Sequence, residues 1–129
     1  MKPYLNLLAA LAVLIALVSC AGSDLSKLRA PAPGDLYLAQ MAAFNGADDV
    51  HARIPADYGL LKVVRVENDR VIVVPSSDSH ETYAAASRML RSDPDSLAWE
   101  SRNPIVITRS RLPELHTGGR LRSVRRHPQ

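Results

Sequence analysis

Residues 60–74, Leu60-Leu61-Lys62-Val63-Val64-Arg65-Val66-Glu67-Asn68-Asp69-Arg70-Val71-Ile72-Val73-Val74, decide how this chain folds. Two runs rich in β-branched residues flank the polar turn formers Glu67-Asn68-Asp69. Val and Ile suit strands because two heavy atoms on Cβ restrict χ1 and pack well on a pleated surface. Three polar residues between such runs predict a β-hairpin. In the second run, Val71-Ile72-Val73-Val74 is apolar at consecutive positions. Successive strand side chains point to opposite faces, so both faces of this strand need cover. A sandwich, a small barrel or a sheet packed by a helix would each supply it.

Downstream, Pro75-Ser76-Ser77 ends the second run. Asp78-Ser79-His80-Glu81 has the form of a capping box, with Asp78 as N-cap and Glu81 three residues on. It predicts a helix over 79–91 with Tyr83, Ala86 and Leu90 on one face. Ser92-Asp93-Pro94-Asp95 stops that helix, and Ile105-Val106-Ile107-Thr108 predicts a strand. Gly118-Gly119 predicts a turn, and 121–124 a last short strand paired with 105–109. Upstream, Leu36-Tyr37-Leu38-Ala39-Gln40-Met41 predicts a first strand. Loops follow at Asn45-Gly46, at Asp48-Asp49 and from Pro55 to Gly59. Together these predict one small α+β domain over 35–129, a mainly antiparallel sheet with one packed helix. Its Gly34-Asp35 start and Val-rich hairpin loosely resemble small SH3-like barrels.

The N-terminus has a different character. Leu5 to Val18 is Leu, Ala, Val and Ile broken only by Asn6, after a short basic start at Lys2. The run fits the apolar core of a secretory signal and falls short of the roughly 20 residues a membrane-spanning helix needs. It ends in Leu17-Val18-Ser19-Cys20-Ala21, and Cys20 is the only cysteine of the chain. A lone cysteine in an exported protein calls for a modification or an intermolecular partner. The segment resembles the lipobox of bacterial lipoproteins. That resemblance implies a signal peptide over 1–19, cleavage between Ser19 and Cys20, and a diacylglyceryl group on the Cys20 thiol with acylation of the new amino terminus. It also implies a periplasm-facing location. With Ala21 instead of Asp after the cysteine, the family's sorting rule points to the outer membrane. Residues 20–34, with Gly22, Ser23, Ser26, Pro31, Pro33 and Gly34, are expected to form a lipidated, flexible tether with at most a marginal helix over 24–29.

At 129 residues the chain has room for one core. Its formal net charge of +3 is too small an excess to indicate a nucleic-acid partner. The positive charge is concentrated in Arg109, Arg111, Arg120, Arg122, Arg125 and Arg126, opposed within that segment only by Glu114. A guanidinium forks onto carboxylate or phosphate, so these six are the candidate contacts for an anionic partner, set against their use as charged cover on a sheet edge.

Other candidates are weaker. His80 between Asp78 and Glu81 lacks the strained nucleophile turn that Ser/His/Asp chemistry requires. Asp48, Asp49 and His51 supply too few ligands for calcium or zinc. No phosphate-cradling glycine loop follows a strand. Tyr37, Tyr58, Tyr83 and Trp99 are expected as core fillers. The residues therefore indicate no enzyme, cofactor, metal or small-molecule substrate. They lead to the expectation of an envelope protein that acts by binding, as a structural or accessory part of an assembly with an envelope protein partner. The alternative is an inhibitor or immunity-type lipoprotein that neutralises an enzyme or toxin at the membrane.

Overall fold

The computed structural model describes residues 23–44 and 57–126. Ser19, Cys20, Asp48, Asp49 and His51, with the loops at Asn45-Gly46 and Pro55, lie outside the described residues. The fold is α+β: an open antiparallel sheet of five strands, β1 (Leu36–Gln40), β2 (Tyr58–Val66), β3 (Arg70–Pro75), β4 (Ile105–Thr108) and β5 (Leu121–Arg125). Their spatial order is β4-β3-β2-β1-β5. The likeness to an SH3-like barrel does not hold, because β4 and β5 stand at opposite edges and the sheet does not close. Nor does β5 pair with β4, as the sequence suggested; it pairs with β1, Tyr37 opposite Val124.

The hairpin forms as its sequence predicts, with Val63 opposite Val73 and Val66 opposite Val71. Arg65 sits opposite Ile72, which leaves Val64 as the extra residue of a β-bulge. The bulge resets the alternation. Val64 turns outward, 45% exposed, while Val66 rejoins the face that carries Val63.

Among the described residues three helices cover the sheet, where the sequence suggested one packed helix and at most a marginal one over 24–29. Helix α2 (Tyr83–Leu90) lies on one face, and Ala86 and Met89 pack on Leu36, Leu38 and Leu60. The other face carries Tyr37, Ala39, Leu61, Val63, Val71, Val73, Ile107, Leu121 and Val124. Leu28 of α1 (residues 23–29) and Leu112 of α3 (Arg111–Thr117) close over it. β1 is therefore buried on both sides, with Leu36 and Leu38 toward α2 and Tyr37 and Ala39 toward the opposite core.

Two local expectations are corrected. Residues 23–34 are not a flexible tether. Residues 23–29 are helical, Leu28 is fully buried, and Asp24 Oδ1 accepts from Val124 N at 3.3 Å. Burying one leucine, worth about 1.5–3 kcal/mol, holds a helix too short to form alone in water. The start of α2 lies at Thr82, whose hydroxyl accepts from Ala85 N at 3.2 Å. Asp78 is not the cap, because His80 is already committed to the sheet: it exchanges backbone hydrogen bonds of 2.7 and 2.8 Å with Tyr58. Gly118-Gly119 forms the turn its sequence predicts, and that turn closes α3. Gly119 N bonds His116 O at 3.1 Å and Arg120 N bonds Leu115 O at 2.8 Å, a Schellman pair. Gly119 has φ +75°, which a side chain would resist.

Candidate functional site

The arginines of the C-terminal segment do not gather into one patch. Four of the six have internal acceptors. Arg126 forks onto Asp35, with Nε to Oδ1 and Nη2 to Oδ2 both at 2.8 Å, and also donates to Ala30 O at 2.7 Å. Asp35 is fully buried, and its Oδ2 accepts from Ala32 N at 3.0 Å as well. Hydrogen bonding to Asp35 raises the Arg126 pKa further, so its charge is permanent.

Arg125 donates to Leu90 O at 2.6 Å and Ser92 O at 2.8 Å, satisfying carbonyls at the end of α2. Arg109 donates to Glu67 O at 3.0 Å and so braces the hairpin turn from β4. Arg120 donates to Gln40 Oε1 at 2.8 Å. Arg111 opens α3 and is exposed.

Arg122 differs from the rest. It occupies the extra position of a second bulge, since Leu38 pairs with Ser123 and Ala39 with Leu121. Its guanidinium carbon lies 5.5 Å from the centre of the Tyr58 ring and 5.3 Å from that of Tyr83. The two rings meet edge to face, 6.1 Å apart at 87°. Cation–π attraction thus holds the guanidinium, while its N–H groups have no hydrogen-bond acceptor among the described residues. The Tyr83 hydroxyl is fixed by Ser123 Oγ at 3.0 Å.

These side chains border an open cleft of about 550 Å³ lined by Tyr83, His116, Gly119, Leu121 and Arg122. His116 Nδ1 lies 2.9 Å from the Leu121 carbonyl, which can only accept. Nδ1 therefore carries the proton, and Nε2 is an acceptor in the neutral ring and a donor in the charged one. Among the described residues no carboxylate lines the cleft. What meets there is one guanidinium, an imidazole and a phenol, a set suited to holding an anion.

The remaining candidates are placed apart. Among the described residues no group of His, Cys, Asp and Glu could hold a metal. His80 is in a backbone bridge to Tyr58, and Asp78 O accepts from Ser76 Oγ at 2.8 Å. Of the aromatics, Tyr37 is a core residue, whereas Tyr83 is 38% exposed. Trp99 is half-buried with Lys62 Nζ 4.7 Å above its ring.

The paired tyrosines beside Arg122 were not legible as a site. Tyr58 and Tyr83 are 25 residues apart in sequence and Arg122 another 39 beyond. Comparison with protein-family models, with curated proteins and with solved structures gives no match.

Proposed function

We propose that this is a lipid-anchored cell-envelope protein that acts by binding, as a structural or accessory component of an envelope assembly. The anchoring rests on the Leu17-Val18-Ser19-Cys20 segment at the end of an apolar run of signal-peptide length, which contains the only cysteine. The binding reading rests above all on Arg122, a guanidinium oriented by two tyrosines beside an open cleft with its N–H groups unengaged by described residues. Such a fork recognises carboxylate or phosphate by geometry as well as by charge. Two or three acyl chains on one cysteine would hold the protein stably at a membrane, outer more than inner by the residue after Cys20.

Metabolic labelling with palmitate tests the anchor. The chain is expected to incorporate label and Cys20→Ser to lose it; label persisting in Cys20→Ser would remove the reading. Crosslinking in intact envelopes, followed by purification of the chain, is expected to yield an envelope protein partner whose recovery falls with Arg122→Gln.

A further inference from the structure

We infer that the Arg122 cleft is a binding site for the phosphodiester headgroup of an anionic membrane lipid, presented to the bilayer by the junction between Cys20 and α1. This rests on the lipid-anchor reading for its placement and on the cleft's own chemistry for its ligand.

The placement follows from chain length. Residue 23 is already helical, and in the sequence only Ala21 and Gly22 stand between it and Cys20. Four Cα steps, from Cys20 to Asp24, reach at most about 14 Å. Asp24 in turn is bonded to the backbone of Val124 on β5. Arg122 is two residues from Val124 on that same edge strand. An anchor at Cys20 therefore tethers the domain by its β5 side, with no spacer to lift it clear. Each polar headgroup layer is only about 5–8 Å deep, and Arg122 is exposed on the same strand that holds Asp24.

The ligand follows from the lining. Arg122 supplies a permanent charge and a planar donor fork, Tyr83 a hydroxyl shared with Ser123 Oγ, and His116 an Nε2 that donates only in the charged ring. The absence of a lining carboxylate leaves that charge uncompensated within the cleft. The guanidinium is held by ring faces and not by hydrogen bonds, so its edge donors can turn to a phosphodiester without breaking an internal bond. The aromatic rings and Leu121 give the glycerol and upper acyl carbons an apolar surface, as tyrosines do at membrane interfaces.

The test uses the mature protein purified from membranes in neutral detergent micelles. The micelles are doped with phosphatidylglycerol or with phosphatidylcholine, and inorganic phosphate is titrated separately. Side-chain resonances of Arg122, His116 and Tyr83 are followed by NMR. Phosphatidylglycerol is expected to shift all three and to bind about tenfold more tightly than either comparison, the scale of one charge-assisted contact. Arg122→Gln is expected to lose that preference while the backbone resonances away from the cleft stay in place.

Equal binding of inorganic phosphate would make this a free-anion site and overturn the lipid assignment, and equal binding of phosphatidylcholine would overturn the selectivity for anionic lipid. Unmoved resonances would overturn the site altogether. The mass of the purified protein separates the two readings. A lipidated chain with a silent cleft refutes this inference and leaves the anchor standing, whereas an unlipidated chain refutes the anchor and leaves the titration to decide the headgroup site.

Discussion

Leu28 shows how one side chain sets a domain boundary. It lies in a stretch whose Gly, Ser and Pro content reads as a spacer, yet it is fully buried against the sheet. Leu28→Ala should cost about 2–5 kcal/mol in urea denaturation, as for other buried leucines; a change near zero would return residues 23–29 to the tether. Tyr37 carries a different burden. Its hydroxyl is buried with no hydrogen-bond partner among the described residues. Burial pushes the phenol well above its ordinary 10; Asp35 adds to the rise, and Arg126 and Arg109 oppose it. A raised acid favours its neutral form in the folded state. Its contribution is fully present below pH 10 and is lost as the pH climbs beyond. Tyr37→Phe should therefore flatten the alkaline loss of stability. At neutral pH it should leave the protein as stable or about 1 kcal/mol more so, because an unsatisfied hydroxyl is gone. Denaturant midpoints between pH 7 and the alkaline limit, wild type beside variant, measure both effects.

At the scale of elements, starts and stops are governed by which backbone groups are already spoken for. Asp78 and Glu81 have the residue types and spacing of a capping box. The bridge between Tyr58 and His80 holds that segment extended, and the cap passes to Thr82. Thr82→Ala should lower stability by about 1 kcal/mol and Asp78→Ala by almost nothing; the reverse order in thermal melts would place the cap at Asp78. Helix α3 escaped sequence reading because it has seven residues with Pro113 among them. Pro113 is tolerated there because the first-turn N–H groups of a helix have no internal partner to lose. Its far end is closed by Gly119.

For the whole molecule, the basic C-terminal segment serves largely as internal fastening. β5 joins the sheet beside β1, and its arginines reach back to Asp35, the end of α2 and Gln40. Arg126→Leu would leave the fully buried Asp35 carboxylate without its fork. The expected cost is on the order of 2 kcal/mol, below the 3–5 of fully buried pairs, since the Arg126 side chain is 36% exposed. Asp35→Asn on that background should recover part of the loss, because a neutral amide is cheaper to bury than an unpaired charge. Equilibrium unfolding of the single and double variants measures both values. Arg111 and Arg122 are the exceptions, both exposed, and Arg122 stands at the bulge where two tyrosines meet it.

The hairpin, the first strand, the strand at 105–108 and the α+β class were legible in the sequence, because alternation, β-branching and turn chemistry are local properties that act wherever the segment lies. The resemblance of Leu17-Val18-Ser19-Cys20 to a lipobox is local in the same sense and needs no fold to be read. Strand order, the partner of β5, the packing of residues 23–29 and the fate of each arginine were decided only by the tertiary structure. All of these depend on which distant backbone and side-chain groups arrive within hydrogen-bond or contact range. The cleft belongs to that second class. Tyr58, Tyr83 and Arg122 come from three different elements and share no sequence pattern; they meet because β5 enters the sheet beside β1 and α2 packs across the face where the Tyr58 ring stands.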